Sequence, residues 1–281
     1  MYRPQKTVTR ILPLALALAI TLALILTGCS EQTKTGDPDP NDPAGTALEG
    51  PAVGYFCDGD TVVPVRLDAQ TDDALGTLEA LFEGPTPAAK AAGYTSAIPA
   101  TSKVLGVDID GKTAEVDVSS EFGSAGDGGS ASLMRLKFAQ VVFTLTRNPA
   151  VKQVVFKING EPMDALGSEG KSLTEPQTRA DWEDSSPAVL VETPVLGDKV
   201  STPVHASGTA LVPTGMFSLS FKATDGFTVA TDKIKVEGSG TVRGSFESTL
   251  AVDAGSGSLV PWYVTKDGKL AYPMRVPIVV E

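Results

Sequence analysis

The pattern of apolar residues changes at residues 183–187 and divides the chain into two parts. Before this point, segments with helical spacing alternate with segments that have strand spacing. After it, every segment has strand spacing, and short turn motifs separate the segments. Strands without helices must bury their apolar faces against a second sheet. The pattern therefore predicts an α+β domain over residues 52–182, followed by an all-β sandwich over residues 187–281.

The α+β part is predicted to carry a strand, a helix, a hairpin, a second helix and a last strand. Apolar residues three and four positions apart mark the helices, and alternating residues mark the strands. Thr71 or Asp72 can cap the first helix, and Asp110-Gly111 is a typical two-residue hairpin turn. The two helices are expected to cover one face of the sheet. The predicted ranges are Val53–Cys57, Asp72–Glu83, Val104–Ile109 paired with Ala114–Val118, a helix capped by Ser130, and Val151–Ile158.

The second part is predicted to be an immunoglobulin-like β-sandwich, because short strands follow one another with turn residues between most of them. No pair of cysteines is present there to clamp the two sheets, so Trp262 and Phe246 are expected to pack the core. The predicted strands are 188–192, 203–212, 216–223, 227–236, 241–252, 258–265 and 270–280.

An apolar run near the amino terminus ends at a cysteine. Arg3, Lys6 and Arg10 precede the 16-residue run Ile11–Leu26, and Thr27-Gly28-Cys29 follows it. A membrane-spanning helix needs about 20 apolar residues, so this run suits the core of a signal peptide. The segment resembles the lipobox of bacterial lipoproteins. This resemblance implies a signal peptide over residues 1–28, cleavage before Cys29 and acylation of Cys29, with palmitate as the expected type of chain.

The anchor predicts a location on the extracytoplasmic face of the cell membrane. Two acyl chains hold a protein firmly on a bilayer, whereas one chain holds it only marginally. The alternative is an uncleaved signal anchor in which Cys29 is incidental. Residues 29–51 are acidic and rich in Pro and Gly, so we expect a flexible linker. Cys57, the other cysteine, lies in a strand-like run and is expected to be a small buried residue.

The charge of the chain excludes one class of partner. There are 23 basic and 34 acidic residues, and cleavage before Cys29 would leave 20 basic residues against the same 34 acidic ones. Nucleic-acid binding needs clustered Lys and Arg to neutralise phosphates. We therefore expect no nucleic-acid partner.

His205 is the single histidine of the chain, so it is the one residue that could serve a His-containing triad. The sequence contains no G-x-S-x-G motif to supply a serine nucleophile at a strained turn. His205 is therefore expected to be a surface or half-buried residue on a strand. Sites with several histidine ligands are excluded. No catalytic residue, cofactor or metal ligand is predicted, and the chain is not expected to be an enzyme.

Four carboxylates share one face of the predicted hairpin, namely Asp108, Asp110, Glu115 and Asp117. They could bind a hard cation or act as an acid/base pair. The alternative is that they form the solvated face, because Val and Ile occupy the opposite face. The pattern favours the solvated face.

Three aromatic residues, Trp182, Trp262 and Tyr263, could form a platform on which a sugar stacks. Trp262 and Tyr263 are neighbours on a strand, so their side chains point to opposite faces. One of them at most can face solvent if the other lies in the core. This weakens the prediction of a carbohydrate site without removing it.

The α+β part resembles the GerMN (germane) domain of sporulation and spore-germination lipoproteins and of other bacterial envelope lipoproteins. The second part resembles the immunoglobulin-like domain that often follows GerMN, on Glu192-Thr193-Pro194, Gly208-Thr209-Ala210 and Gly244-Ser245-Phe246. The stretches that carry the GerMN resemblance are Leu78-Glu79-Ala80-Leu81, Gly84-Pro85-Thr86, Thr95-Ser96-Ala97-Ile98-Pro99, residues 113–122, residues 139–146 and Thr178-Arg179-Ala180-Asp181.

The resemblance implies a protein without enzymatic activity that makes protein–protein contacts in the cell envelope. It defines no catalytic residues, and a role in sporulation or germination does not follow from the domain by itself. We therefore expect a lipid-anchored docking or scaffolding module whose partners are envelope proteins. The alternative is a lipoprotein that binds peptidoglycan or carbohydrate through exposed aromatic residues.

Overall fold

The protein is described by a computed structural model, which covers residues 51–69, 73–124, 130–165, 172–237 and 241–281. The predicted signal peptide, Cys29 and nearly all of the predicted linker lie outside these ranges. Among the residues described, no helix is long and apolar enough to cross a membrane. Both predicted domains belong to one compact unit of the chain.

The first part combines two small sheets with helices. Strands β1 and β2 form an antiparallel hairpin, and β3-β4-β5-β6 form a second sheet in which β4 and β5 run parallel. The elements are β1 (Val53–Asp58), β2 (Thr61–Arg66), α1 (Ala74–Phe82), α2 (Pro87–Ala91), β3 (Val104–Asp110), β4 (Thr113–Val118), α3 (Ser120–Gly123), α4 (Ala131–Leu145), β5 (Gln153–Ile158), β6 (Glu161–Pro162) and a 3₁₀ segment (Arg179–Ser185).

Aromatic rings fill the space between α4 and the four-stranded sheet. The ring of Phe138 on α4 lies 4.8 Å from that of Phe156 on β5 and 5.0 Å from that of Phe122 on α3, measured between centroids. Trp182 of the 3₁₀ segment stacks on Phe138 at 5.9 Å. Large buried rings contribute much of the burial energy of a core. The 3₁₀ segment is therefore packed into the α+β core before the chain enters the sandwich.

The cap of the first helix and the turn of the hairpin each differ from the prediction by one or two residues. Asp73, not Thr71 or Asp72, caps α1, because its side chain accepts a hydrogen bond from the N–H of Gly76 at 2.7 Å. Asp110 belongs to β3 and pairs with Thr113, so the two-residue turn begins one position later, at Gly111, whose φ is +58°. The predicted cap at Ser130 is confirmed, since its side chain accepts from the N–H of Leu133.

The second part contains only strands in its described residues. Strands β11-β10-β13-β15-β8 form one sheet, to which β14 adds at β13, and β12-β9-β7 form the other. The elements are β7 (Val189–Thr193), β8 (Lys199–Val200), β9 (Val204–Ala210), β10 (Met216–Ala223), β11 (Thr228–Lys235), β12 (Gly244–Leu250), β13 (Gly255–Val264), β14 (Leu270–Ala271) and β15 (Val276–Val280).

The inner faces of these two sheets form the core of the sandwich. Phe217 on β10 meets Phe246 on β12 edge to face, with ring centroids 4.9 Å apart. The Ser248 hydroxyl on β12 donates to the Asp232 carboxylate on β11 across the same gap, at 2.7 Å. Phe246 packs the core as predicted, whereas Trp262 is half-buried and points to the outer face.

The predicted fold class is confirmed: an α+β region is followed by an immunoglobulin-like all-β sandwich. The predicted single strand 270–280 is wrong in detail, because the chain leaves the sheet between β14 and β15. The strand β2 and the short strands β6 and β8 are additions to the predicted set. The domain boundaries stay a prediction.

Candidate functional site

A polar cluster joins the end of the α+β part to the first strand of the sandwich. The guanidinium of Arg179 pairs with the carboxylate of Glu192 on β7, and the hydroxyl of Tyr55 on β1 donates to the same carboxylate. The Arg179 Nε also donates to Thr146 Oγ1 at 2.9 Å, and its Nη2 donates to the carbonyl of Phe143 at 3.1 Å. These contacts use most of the donors that a guanidinium offers.

A capping box places Arg179 in this cluster. The N–H of Thr178 donates to Asp181 Oδ2 at 2.8 Å, and its hydroxyl donates to the same oxygen. This arrangement fixes the start of the 3₁₀ segment, because the side chains satisfy groups that a helix start leaves free. The motif Thr178-Arg179-Ala180-Asp181, which carries part of the GerMN resemblance, therefore fixes the backbone from which the Arg179 side chain reaches Glu192 of the sandwich.

The electrostatics of the cluster favour the charged form of Glu192. Burial raises the pKa of this carboxyl, but the nearby Arg179 charge and the hydrogen bonds from Tyr55 and Arg179 outweigh burial and hold the pKa below its usual value. For Tyr55, burial raises the pKa to about 12, so the phenol stays protonated and acts as a donor. The cluster is a satisfied ion pair and not a proton-transfer site.

Two further ion pairs join the two parts. Arg66 at the end of β2 pairs with Asp198, and the Arg66 N–H donates to the carbonyl of Leu196 at 3.1 Å. Arg243 holds Glu183 through two of its nitrogens, with an Nη2–Oε1 distance of 2.7 Å and an Nε–Oε2 distance of 3.0 Å. A two-point contact between Arg and a carboxylate fixes orientation as well as distance. The sandwich is therefore held in one orientation on the α+β part.

A cavity of about 670 Å³ lies where the outer face of the larger sheet meets the α+β part. Its floor is Val260, and its walls include Lys222, Tyr272, Arg275 and, from the α+β part, Asp58. Binding pockets for small ligands are typically about 300–1,000 Å³. The cavity is the strongest candidate binding site among the described residues.

Tyr94 closes one side of this region. Its hydroxyl donates to the carbonyl of Arg275 at 2.8 Å, which ties the loop after α2 to the segment before β15. Burial raises the pKa of Tyr94, with the Asp58 charge acting in the same direction, so the phenol remains a donor. The wall that carries Arg275 is thus braced by the α+β part.

The outer face beside the cavity carries two aromatic side chains. Trp262 pairs with Ser218 across β10 and β13, and its indole N–H donates to the hydroxyl of Ser220 at 3.0 Å. Tyr272 is exposed, and the Lys222 ammonium lies 5.4 Å from the centre of its ring. The predicted opposite orientation of Trp262 and Tyr263 holds, since Tyr263 packs against the core.

The predicted platform of Trp182, Trp262 and Tyr263 is not assembled. Trp182 is only 1% exposed and stacks in the α+β core, so it cannot meet a ligand. Tyr272, which the sequence reasoning missed, is an exposed aromatic residue at the cavity rim. The turn Asp267-Gly268 was a signal that could have revealed it, because a hairpin there pairs Tyr263 with Ala271.

The acidic hairpin is a solvated face. Asp108 lies opposite Glu115 as predicted, but Glu115 pairs with the ammonium of Lys157 from β5. Asp117 accepts a hydrogen bond from the N–H of Gly160. In the described ranges, no group of three or more His, Cys, Asp or Glu side chains could hold a metal ion.

His205 lies exposed on β9, where its Nδ1 is 3.1 Å from Thr249 Oγ1. This matches the predicted surface histidine on a strand. Cys57 is buried and free, and burial raises the pKa of its thiol to about 11, as expected for an unreactive core residue. Cys29 lies outside the described residues.

Gln140 on α4 is a structural residue that the sequence reasoning did not single out. Its Nε2 donates to the carbonyl of Tyr55 at 2.9 Å, and its Oε1 accepts from the N–H of Ala97 at 2.8 Å. Thr144, one turn later, accepts from the N–H of Tyr55 at 3.0 Å. These side chains cover the free edge of β1, because they satisfy backbone groups that no neighbouring strand reaches.

Comparison with known proteins identifies the α+β part. Residues 53–164 match the Germane family model, which is described as sporulation and spore germination. This match confirms the resemblance for that part of the chain, which is a Germane domain. No curated protein matches the chain.

Three solved structures show low similarity to the chain. The first GerMN domain of the sporulation protein GerM from Bacillus subtilis is 23% identical, with a TM-score of 0.38, over 46% of this chain and 98% of that one. The tandem GerMN domains of the same protein are 19% identical, with a TM-score of 0.38, over 71% and 60% of the two chains. A putative lipoprotein from Clostridium perfringens is 19% identical, with a TM-score of 0.34, over 46% and 87%.

Proposed function

We propose that this chain is a non-enzymatic cell-envelope protein that docks other envelope proteins while a lipid on Cys29 holds it on the membrane. The Germane domain links it to proteins of sporulation and spore germination, and we propose that it serves an envelope process of this type. The apolar run that ends at Cys29 supports the anchor. The rigid junction supports docking, since a partner then meets one fixed surface that spans both parts.

The observation that carries the docking role is a strip of exposed apolar side chains on the outer face of the sandwich. Val264 on β13 pairs with Leu270 on β14, and the two are 46% and 55% exposed. Met216, at the start of β10 and two residues before Ser218, is 51% exposed at the same end of this face. We call these three residues the docking strip. Contiguous exposed apolar surface of this kind is typical of interaction sites.

Crosslinking in intact cells tests the docking role. A photoreactive amino acid at Leu270 should yield crosslinked protein adducts. The same group at His205, exposed on the other sheet, is the matched control and should yield few or different adducts. Equal adduct patterns from both positions, or none from Leu270, would contradict the proposed docking strip.

The two cysteines give a matched test of the anchor. Cys29→Ser should leave the precursor uncleaved and move the protein out of the lipid-modified fraction. Cys57→Ala, at a buried position with no predicted lipid, should retain the wild-type mass and membrane fraction. If the Cys29→Ser protein kept the same mature mass and membrane association, the proposed anchor would be wrong.

The absence of enzymatic activity is tested with purified mature protein and isolated cell wall. Robust hydrolysis that disappears in His205→Ala or Asp108→Asn would contradict the proposal. His205→Ala is a sharp test because no other histidine is present.

A second function, binding of peptidoglycan or carbohydrate, is favoured by the placement of Trp262 and Tyr272 on the same outer face. Exposed aromatic rings pack against the apolar faces of sugars and retain a polar tip for hydrogen bonding. Pull-down on isolated cell wall tests it. Loss of wall binding in Trp262→Ala, with Leu270→Ala as the control on the docking strip, would favour this function. Retained protein adducts without wall binding would favour docking.

A further inference from the structure

Two cations, Lys222 and Arg275, line the cavity. The backbone of Lys222 on β10 pairs with that of Ser258 on β13, and the Arg275 Nε donates to the hydroxyl of Ser258 at 2.8 Å. Ser258 is almost fully buried, so it fixes the guanidinium against the sheet. The strand that carries Lys222 and the guanidinium of Arg275 therefore meet at the same position of β13.

Neither cation pairs with an acidic residue in the part of the chain that the structure describes. Within the described residues, neither Lys222 nor Arg275 forms an ion pair, although the chain carries 34 acidic residues. The Lys222 ammonium lies against the ring of Tyr272, and the two Nη atoms of Arg275 make no hydrogen bond to the described residues. Like charges placed close together repel each other, and an anion between them relieves that repulsion. A guanidinium with two free nitrogens matches a carboxylate in geometry.

The α+β part contributes a carboxylate to the cavity lining. Asp58, at the end of β1, forms no ion pair with a described residue, and burial raises the pKa of this carboxyl. Asp225 also lies at the cavity, but its carboxylate accepts a hydrogen bond from the N–H of Phe227 and so serves the local turn. The cavity therefore combines two cations with a carboxylate, that of Asp58, and none of the three forms an ion pair with a described residue.

The floor between these walls is apolar. Val260 and Met274 are buried beneath the cavity, and the exposed ring of Tyr272 forms its rim. Apolar groups of a ligand would be removed from water when they pack on these atoms. This burial would raise the affinity for the ligand whatever the charge of the ligand. A ligand that fits must be negative at one end, apolar in the middle and able to donate hydrogen bonds at the other end.

We propose that this cavity binds the carboxyl-terminal end of a short peptide. The terminal carboxylate lies between Arg275 and Lys222, the last side chains pack on Val260 and Tyr272, and a peptide N–H or amine donates to Asp58. This site goes beyond the docking function and lies apart from the docking strip, so either proposal can fail while the other stands.

A matched series of small probes tests the chemistry of the site. The full mature chain is titrated with Ala-Ala-Ala, with its carboxyl-terminal amide and with its N-acetyl form, by calorimetry or by NMR shifts. Ala-Ala-Ala should bind, and the amide should bind about tenfold more weakly or not at all, because it lacks the charge that Arg275 recognises. The N-acetyl form keeps the terminal carboxylate, so its affinity should fall less than that of the amide. Equal binding of the amide, or equal binding of acetate alone, would overturn the proposal.

Substitutions locate the binding. Arg275→Gln and Lys222→Gln should each weaken binding of Ala-Ala-Ala by about tenfold. Lys233→Gln removes the same charge from the neighbouring strand, outside the cavity, and should change the affinity less than about twofold. Asp58→Asn should affect the free-amine peptide more than the N-acetyl peptide. Unchanged affinity in Arg275→Gln, with the fold intact by circular dichroism, would overturn the site.

The peptide carboxylate could come from cell-wall peptides or from the end of a partner protein. Isolated cell wall, before and after enzymatic removal of its peptides, distinguishes these sources. Arg275-dependent retention that disappears with the wall peptides identifies the wall as the source. Binding of Ala-Ala-Ala without any wall retention supports the site and assigns its ligand to a protein terminus.

Discussion

The carboxylate of Glu192 on the first sandwich strand accepts a hydrogen bond from the hydroxyl of Tyr55, a residue 137 positions earlier on the first strand of the α+β part. Arg179 pairs with the same carboxylate and lies 4.9 Å from the centre of the Phe143 ring. One carboxylate therefore receives contacts from the first strand of the Germane domain and from the segment that follows the domain. Its removal should loosen the junction between the two parts.

Arg179→Met is expected to lower the free energy of unfolding by about 2–3 kcal/mol, because it leaves Glu192 partly buried without its cation. Urea denaturation measures this change. Lys199→Met, which breaks the exposed pair Lys199–Glu281, is the control and should change stability by less than about 1 kcal/mol. If the losses of stability in Arg179→Met and Glu192→Met simply added up in the double variant, the two side chains would not be coupled as the structure indicates.

The stability that Glu192 contributes should depend on pH. Its pKa in the folded protein lies below the usual value, so its contribution is present above the unfolded pKa of about 4.3 and is lost as pH falls through the folded pKa. The difference in unfolding free energy between wild type and Glu192→Gln should therefore be largest near neutral pH and shrink in acid. Denaturation at several values between pH 7 and pH 3 measures it. A difference that stays constant would contradict the assigned charge.

The sequence predicted the elements but not their contacts across the junction. The spacing of apolar residues predicted both long helices and most strands. A helix or strand that buries one face needs apolar residues at regular intervals, and these intervals are visible in the sequence. Strand β2 was missed, since Pro64 interrupts its apolar run. The Pro64 ring is tolerated there because it pairs with Tyr55, whose N–H and carbonyl point to α4 instead.

The candidate cavity was beyond sequence reasoning for a different reason. A single strand over residues 270–280, as predicted, would place Tyr272 and Arg275 within a continuous hydrogen-bonded strand. In the structure the chain leaves the sheet between β14 and β15, and this departure builds the cavity wall. The orientation of Trp262 could not be predicted for a similar reason. Neighbouring side chains on a strand point to opposite faces, so Trp262 and Tyr263 are separated, but only the strand register decides which of the two faces the core.

Lys137→Met is expected to stabilise the protein at neutral pH by about 1–2 kcal/mol. Lys137 is 1% exposed, and its ammonium donates to the carbonyl of Ser124 and lies 5.1 Å from the centre of the Phe122 ring. Burial lowers its pKa to about 8, which means that the charged form is disfavoured in the folded protein.

The lowered pKa of Lys137 determines the pH range in which its charge destabilises the fold. A lysine with a lowered folded pKa destabilises the fold below about pH 8, and the penalty is relieved as pH rises from about 8 towards the unfolded value near 10.4. The stability advantage of Lys137→Met should therefore shrink between pH 7.5 and pH 10. Lys152→Met, at an exposed position, should show no such trend. An advantage that grows with pH would contradict the assignment.

Gln140→Leu is expected to lower the free energy of unfolding by about 2–4 kcal/mol. The substitution leaves the buried carbonyl of Tyr55 and the partly buried N–H of Ala97 without partners, and an unsatisfied buried group costs about 1–3 kcal/mol. Gln153→Leu is the control, because it removes a single contact, to the hydroxyl of Thr113, at a half-buried position. Urea denaturation compares the two. Equal losses would mean that Gln140 does not hold the edge of β1.

Gly208→Ala should prevent β7 and β9 from pairing. A methyl group at this position would lie 2.0 Å from the carbonyl oxygen of Leu190, and backbone cannot move aside as a flexible side chain can. We expect a loss of at least about 3 kcal/mol, or failure to fold, measured by urea denaturation and by the yield of soluble protein. Gly106→Ala on β3 adds the same methyl group where no atom lies within 4 Å, and it should change stability by less than about 1 kcal/mol. If the Gly208→Ala protein matched the Gly106→Ala protein in stability, the close pairing of the two sandwich strands would be wrong.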